Sequence, residues 1–225
     1  MPVQIDRFIR SRRRTIAIQI RPDGQVMVRA PLLAPEKLIL EFVESKADWI
    51  RQKQDEALKH APVTQKHFRA GERFLFLGRE HALTVVEKQR TALTFDGQFI
   101  LSKTALPRAA KLFQKWYQAQ ALKVLGERVK FYAAKHGFQP GRIRITSART
   151  RWGSCSSNGT LSFTWRLVMA PLEVIDYVVL HELVHLKVKN HSKTFWSGVA
   201  ALMPDYKRHV EWLKNNGRFL TLAGE

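Results

Sequence analysis

Cysteine is nearly absent from this chain. Cys155 is the only one in 225 residues, so no intrachain disulfide is possible and a reducing, cytoplasmic setting is expected. No run of eighteen or more apolar residues occurs, which leaves no candidate transmembrane helix and no expected membrane partner. The opening MPVQIDRFIRSRRRTIAIQI has charge but no apolar stretch followed by small residues, so a secretory signal is not expected. Acidic residues are scarce as well: 19 Asp and Glu stand against 38 Lys and Arg, a formal net charge of +19. Residues 1–100 carry +6 of it and residues 101–225 carry +13. A field of that sign draws nucleic acid, nucleotides or acidic proteins, or simply keeps the surface solvated. Internal repeats, low-complexity tracts and a glycine-rich phosphate loop are all missing. The remaining composition, 45% hydrophobic and 25% charged, is ordinary for a globular chain with one sizeable core or two small ones.

The first hundred residues pattern as two small sheets around a helix. TIAIQI (residues 15–20) alternates, RPDG turns, and QVMVRA (25–30) returns, which predicts a hairpin. A long helical stretch follows Pro35, EKLILEFVESKADWIRQKQDEALKH, with Leu38, Phe42, Ala47, Trp49 and Ile50 on one face. RFLFLGREHALTVVEK and TALTFDGQFILS supply short strands, with turns at Gly78 and Asp96-Gly97. From Pro107 the pattern becomes helical, with Leu112, Phe113, Trp116, Ala119, Leu122 and Val129 apolar, and stops at Gly137, a C-cap candidate. GRIRITS reads as a strand, ARTRWGSCSSNG as a loop, TLSFTWRLV as a strand. Pro171 opens the next helix, and two short helices split at Pro204 close the chain. The expected organisation is a β-rich region with one long helix over residues 1–103 and a helical domain over 104–225, an α+β protein.

The segment HELVHLKVKNH, His181 to His191, carries the chemistry. Residues four apart share a helix face, so His181 and His185 direct two imidazoles at one point. Glu182 is offset around the helix, placed to act on a water molecule rather than to bind a metal. At this composition H-E-x-x-H arises by chance ~0.015 times per chain. Its flank, VIDYVVLHELVHL, is apolar almost all round, so the helix runs through a core. Polar groups buried there need compensation, and a metal ion supplies it.

His191 is the expected third ligand. It lies ten positions after His181, the spacing of the metzincin proteases, whose pattern has glycine at the position of Val188. A β-branched Val resists positive φ, so that turn is not expected here. Asn190, which tolerates the left-handed region, is the expected helix stop. Weaker candidates are Glu173, Asp176, His209 and Glu211, with His209 read as a surface residue. Three imidazoles with an open fourth position suit zinc, one per chain.

The blocks RWGSCSSNGTLSFTWRLVMAP and IDYVVLHELVHLKVKNHSKTFW, with RRRTIAIQIRPDGQVMVRAP and FVESKADWI before them, resemble the YgjP-like family of predicted metal-dependent hydrolases, distant relatives of the SprT-like zinc proteases. The resemblance spans nearly the whole chain. It implies a zincin-like helical metallohydrolase core with a small sheet, zinc on His181, His185 and His191, and Glu182 as general base.

In RWGSCS, Arg151 reads either as an anion clamp for a substrate carboxylate, phosphate or developing oxyanion, or as a solvated side chain beside a glycine turn. Cys155 reads as a small buried residue rather than a nucleophile. Phe195 and Trp196 are expected to pack behind the third ligand. Three functions fit these features. The preferred one is a zinc metallopeptidase acting on peptides or proteins. The second is a zinc-dependent phosphoanhydride hydrolase acting on nucleotides, and the third a nucleic-acid-binding protein with a zinc site.

Overall fold

The computed structural model describes residues 3–21, 24–58 and 66–222. They fall into two compact units, Met1–Thr64 and Gln65–Glu225. The expected boundary near residue 103 lies inside the second unit, in a 3-10 helix, Lys103–Arg108. Strands on its N-terminal side share one hydrophobic core with helices on its C-terminal side.

The first unit is a three-stranded sheet with two helices. β2 (Ala17–Ile20) and β3 (Val26–Pro31) pair antiparallel, as the alternating pattern predicts, although Pro22 and Asp23 of the turn lie outside the described residues. β1 (Arg7–Ser11) pairs parallel with β3 and has no clear alternation to announce it. The single long helix predicted after Pro35 is two, α1 (Glu36–Glu44) and α2 (Ala47–Leu58). The expected Lys59 and His60 lie outside the described residues. Ser45 Oγ donates to Phe42 O at 2.7 Å, an alternative to the helical ladder that favours a break there. The break shifts the helical phase, so the core face is Ile39, Val43 and Ile50, while Leu38 and Trp49 are exposed.

The second unit holds two sheets and four helices. β4 (Arg73–Phe76), β5 (Arg79–Val86), β6 (Leu93–Phe95) and β7 (Phe99–Ser102) form a sheet of order β4-β5-β7-β6. β8 (Ile143–Thr146), β9 (Gly153–Cys155) and β10 (Leu161–Thr164) form a second, of order β8-β10-β9. β9 corrects the expectation of a loop through RWGSC: its residues pair antiparallel with β10, Cys155 opposite Leu161 and Gly153 opposite Phe163. The strand predicted through Trp165 to Val168 stops at Thr164 and continues as a 3-10 helix, Trp165–Met169.

The long helix α3 (Ala109–His136) ends on Gly137 in the left-handed conformation, as expected. Its buried residues are Ala109, Phe113, Tyr117, Ala121, Leu125, Val129 and Ala133, one every four positions. Four residues advance a helix by about 400°, so this stripe drifts by roughly 40° per step around the axis. It therefore meets successive partners: Phe74 and Phe99 against Phe113 at ring distances of 4.3 and 4.8 Å, then Trp165 against Tyr117 at 5.9 Å. Leu122, predicted on the apolar face, is off the stripe and exposed. Further along, Arg128 donates to both carboxylate oxygens of Asp176, at 2.6 and 2.7 Å, and Tyr132 donates to the same carboxylate at 3.1 Å.

Asp176 belongs to α4 (Leu172–Val184), whose residues are buried from Val174 to Leu180. The start of α4 is located by the β4–β5 hairpin. Its two-residue turn, Leu77-Gly78, has positive φ at both positions, +50° and +77°, the geometry that matches strand twist. The turn's N–H groups donate to Val168 O at 2.9 Å and Met169 O at 3.1 Å. A Cβ on Gly78 would stand 2.8 Å from Pro171 Cα. Two shorter helices follow, α5 (Lys193–Leu202) and α6 (Tyr206–Asn216). No helix among the described residues is long and apolar enough to cross a membrane.

Gly78→Ala is expected to lower stability in urea unfolding by about 1–3 kcal/mol. Gly97→Ala should cost less, because Gly97 also has positive φ but nothing within 4 Å of its would-be Cβ. Equal losses would show that the contact with Pro171 is soft.

Candidate metal centre

The site is built on the last turn of α4 and the segment leading to α5. His181 and Glu182 lie in the helix and His185 is its C-cap. The chain then turns through Lys187, with Lys187 and Val188 N–H groups both donating to Val184 O at 3.0 Å. Asn190 does not take the left-handed conformation expected of it: among described non-glycine residues only Phe68 and Leu77 have positive φ. Turn hydrogen bonds released by the early end of α4 do the bending instead.

This path brings the three histidines together. His191 Nε2 lies 3.0 Å from His181 Nε2 and 3.1 Å from His185 Nε2. Their ligand atoms all fall within 4.8 Å of one another. His185 Nδ1 is 2.9 Å from Val188 O. A carbonyl only accepts, so the proton sits on Nδ1 and the Nε2 lone pair faces the other two rings. Burial, with the neighbouring His185 and His191, pushes the His181 pKa down to about 4, so this imidazole is neutral at pH 7 and its ring nitrogens keep a free lone pair. Tetrahedral zinc with Zn–N of 2.0–2.1 Å sets nitrogens about 3.3 Å apart, within a few tenths of an ångström of the two distances from His191 to its partners. The donor set fits a metal ion.

An aromatic shell holds the rings. Phe195, fully buried on α5, lies 4.3 Å from the His185 ring and 4.8 Å from each of the other two. Trp196 stacks on His191 at 5.8 Å and on Tyr206 at 5.4 Å. Both tryptophan and phenylalanine back the triad, as expected for the third ligand.

Glu182 is buried beside this triad, and its Oε2 has no protein hydrogen-bond partner among the described residues. Burial pushes its pKa up to about 7, with nearby Arg151 pulling the other way. Against it runs β9. A Cβ on Gly153 would stand 2.5 Å from Glu182 Oε1 and 2.7 Å from Cγ, so only glycine lets the strand pass this close. This role of Gly153 has no local signal, because the contact joins residues 29 apart. The glycine of RWGSC is needed for that approach rather than for a turn. Trp152 is anchored in the same way, with a Cβ on Gly217 falling 2.6 Å from its ring.

The triad and Glu182 line a cleft of about 600 Å³. β9 and the residues before it, Arg151 to Cys155, form one wall; Val210, Leu213 and Lys214 of α6 form another, and Tyr177, Val178 and Lys189 complete the lining. Arg151 thus reaches the cleft. Cys155 lines it too, half-buried, its thiol pushed up by burial away from the reactive thiolate.

The weaker ligand candidates lie elsewhere. Asp176 is committed to Arg128, and Glu173 is exposed in the first turn of α4. Glu211 borders a smaller neighbouring hollow. His209 is buried rather than a surface residue: α6 packs that face on α4, where His209 stacks on Tyr177 at 6.3 Å.

A histidine triad with one flanking buried glutamate in a cleft is the arrangement of a metal-dependent hydrolase. The model of the YgjP-like metallopeptidase domain matches residues 14–216, and the chain belongs to that family. It is a metal-dependent peptidase, with peptide or protein as substrate and a metal ion as cofactor. Among solved structures it is similar to the metallopeptidase zymogen abylysin of Pyrococcus abyssi. The two are 21% identical over 44% of this chain and 99% of that one, with a TM-score of 0.39. A second is the zymogen jannalysin of Methanocaldococcus jannaschii, 21% identical over 39% and 93%, with a TM-score of 0.34. Comparison with curated proteins finds no match.

Loss of a ligand outweighs loss of its supporting groups, which costs 10–100-fold. His191→Ala is therefore expected to weaken metal binding more than about 100-fold in a competition titration. Unchanged affinity would remove His191 from the ligand set. Gly153→Ala is expected to keep metal uptake while peptide turnover falls at least about ten-fold, through displacement of Glu182. Full activity in that variant would show that the carboxylate tolerates the move.

Proposed function

We propose that the protein is a zinc metallopeptidase in which His181, His185 and His191 hold one zinc ion and Glu182 is the general base. The observation that carries this reading is the convergence of three Nε2 atoms beside a buried carboxylate oxygen with no protein hydrogen-bond partner among the described residues. When bound, zinc supplies Lewis acidity, polarising a peptide carbonyl and acidifying water to a pKa of about 7.

The chain's own groups do the rest. Glu182, with its pKa raised to about 7 by burial, accepts a proton from the attacking water at its carboxylate and returns it to the leaving amine nitrogen. β9 is an edge strand of its sheet and forms the wall of the cleft, so an extended peptide is held by strand addition, backbone to backbone. Gly153 keeps that wall against Glu182, which brings the aligned peptide bond to the base. Arg151, exposed at the start of the wall, binds an anionic group of the substrate.

Glu182→Gln is expected to retain zinc at the wild-type ratio while turnover of a peptide panel falls about 10²–10⁴-fold. Residual turnover within ten-fold of wild type would sink the general-base role. Release of phosphate from nucleotides, with no new amine from peptides, would move the reaction to phosphorus.

A further inference from the structure

The shortage of acid in the whole chain extends to the cleft. Of its lining side chains Arg151, Lys189 and Lys214 are cationic, and the one carboxylate is Glu182. Glu182 is buried, whereas the three cations are exposed. Among the described residues no carboxylate lies within ion-pair distance of Arg151, Lys189 or Lys214. Elsewhere on the same unit exposed cations do find partners, Lys103 with Glu87 at 2.8 Å and Arg73 with Glu80 at 3.8 Å. Like charges gathered around one cleft repel each other, and an anionic ligand relieves that repulsion.

Two of the cations are placed along the strand wall. Arg151 lies two residues before β9 begins. Lys189, from the segment between the second and third histidines, donates to Ser156 O at 3.4 Å, one residue beyond the end of β9. From residue 151 to 156 an extended chain covers about 16 Å. Gly153, the residue in contact with Glu182, lies between them. A peptide paired along β9 therefore has its scissile bond near Gly153, with one cation toward each end. Lys214 approaches from the opposite wall on α6.

We propose that the cleft selects peptides carrying Asp or Glu on both sides of the scissile bond, roughly four to five residues apart, with Arg151 and Lys189 as the specificity-determining residues and Lys214 adding to the same preference. This rests on the metallopeptidase reading. It assigns Lys189 a role in substrate choice, distinct from the ligands it lies between.

The test uses fluorescent decapeptides that carry two Glu five residues apart, beside the same peptides with Gln. Turnover is measured on zinc-loaded wild type, and binding by anisotropy on the Glu182→Gln protein. The acidic peptide is expected to exceed its Gln counterpart about ten-fold in both kcat/KM and affinity. Arg151→Gln and Lys189→Gln should each reduce that ratio about two- to five-fold, the range for exposed ion pairs, whatever each variant does to the turnover of the Gln peptide itself. Lys130→Gln, an exposed cation on α3, should leave the ratio as it is. Equal handling of the two peptides overturns the proposal, as does a ratio that falls as far with Lys130→Gln, which would assign the preference to overall charge. If the acidic peptide binds with this dependence but is not cut, the specificity holds and the peptidase chemistry fails. If peptides are cut without charge preference, the reverse is true.

Discussion

Burial of α4 is the constraint on which the rest of the second unit depends. A helix covered on every side has nowhere to send a polar side chain except into a shared cavity or onto a partner, because leaving one unpaired inside costs free energy. α4 uses both outlets. Asp176 meets the guanidinium of Arg128 and the hydroxyl of Tyr132 on α3. Within the next two to three turns His181, Glu182 and His185 open onto the cleft. The ion pair near the start of the helix and the turn contacts of Leu77 and Gly78 set its position. The imidazoles at its other end then stand where the chain's next turn delivers His191.

The close approach of β9 extends the same logic. A wall that runs against a carboxylate with no intervening Cβ excludes water from one side of Glu182, and burial is the first cause of its raised pKa. The aromatic rings behind the triad restrict the histidines to one arrangement, so the cost of ordering three donors is met during folding rather than at metal binding. Geometry and electrostatics at the site are thus both products of packing.

How much of this could be read from the sequence varied with the range of the interaction. The histidine triad, the Pro171 start of α4, the Gly137 cap and the turns at Gly78 and Gly97 are local, governed by residues a few positions apart, and they were foreseeable. The break at Ser45 and the early end of α4 depend on competition between nearly equal local hydrogen bonds, which the pattern did not decide. The strand character of Gly153–Cys155, the burial of His209 and the meeting of Gly153 with Glu182 are products of tertiary contact, and no window of neighbouring residues contains them. The winding stripe of α3 failed for another reason: a strict four-residue spacing changes face along the helix, so no single face describes it.

The order of the cleft's walls along the chain also has a meaning for biosynthesis. The strand wall precedes the histidines and Glu182, but α6 and Gly217, on which Trp152 is seated, follow them. Synthesis runs from the N-terminus, so a ribosome-bound chain presents its three histidines before the groove around them is closed. The second wall of the cleft is therefore the last part of it to be made, and the groove takes its final form only once α6 has been added to a strand wall that is already complete.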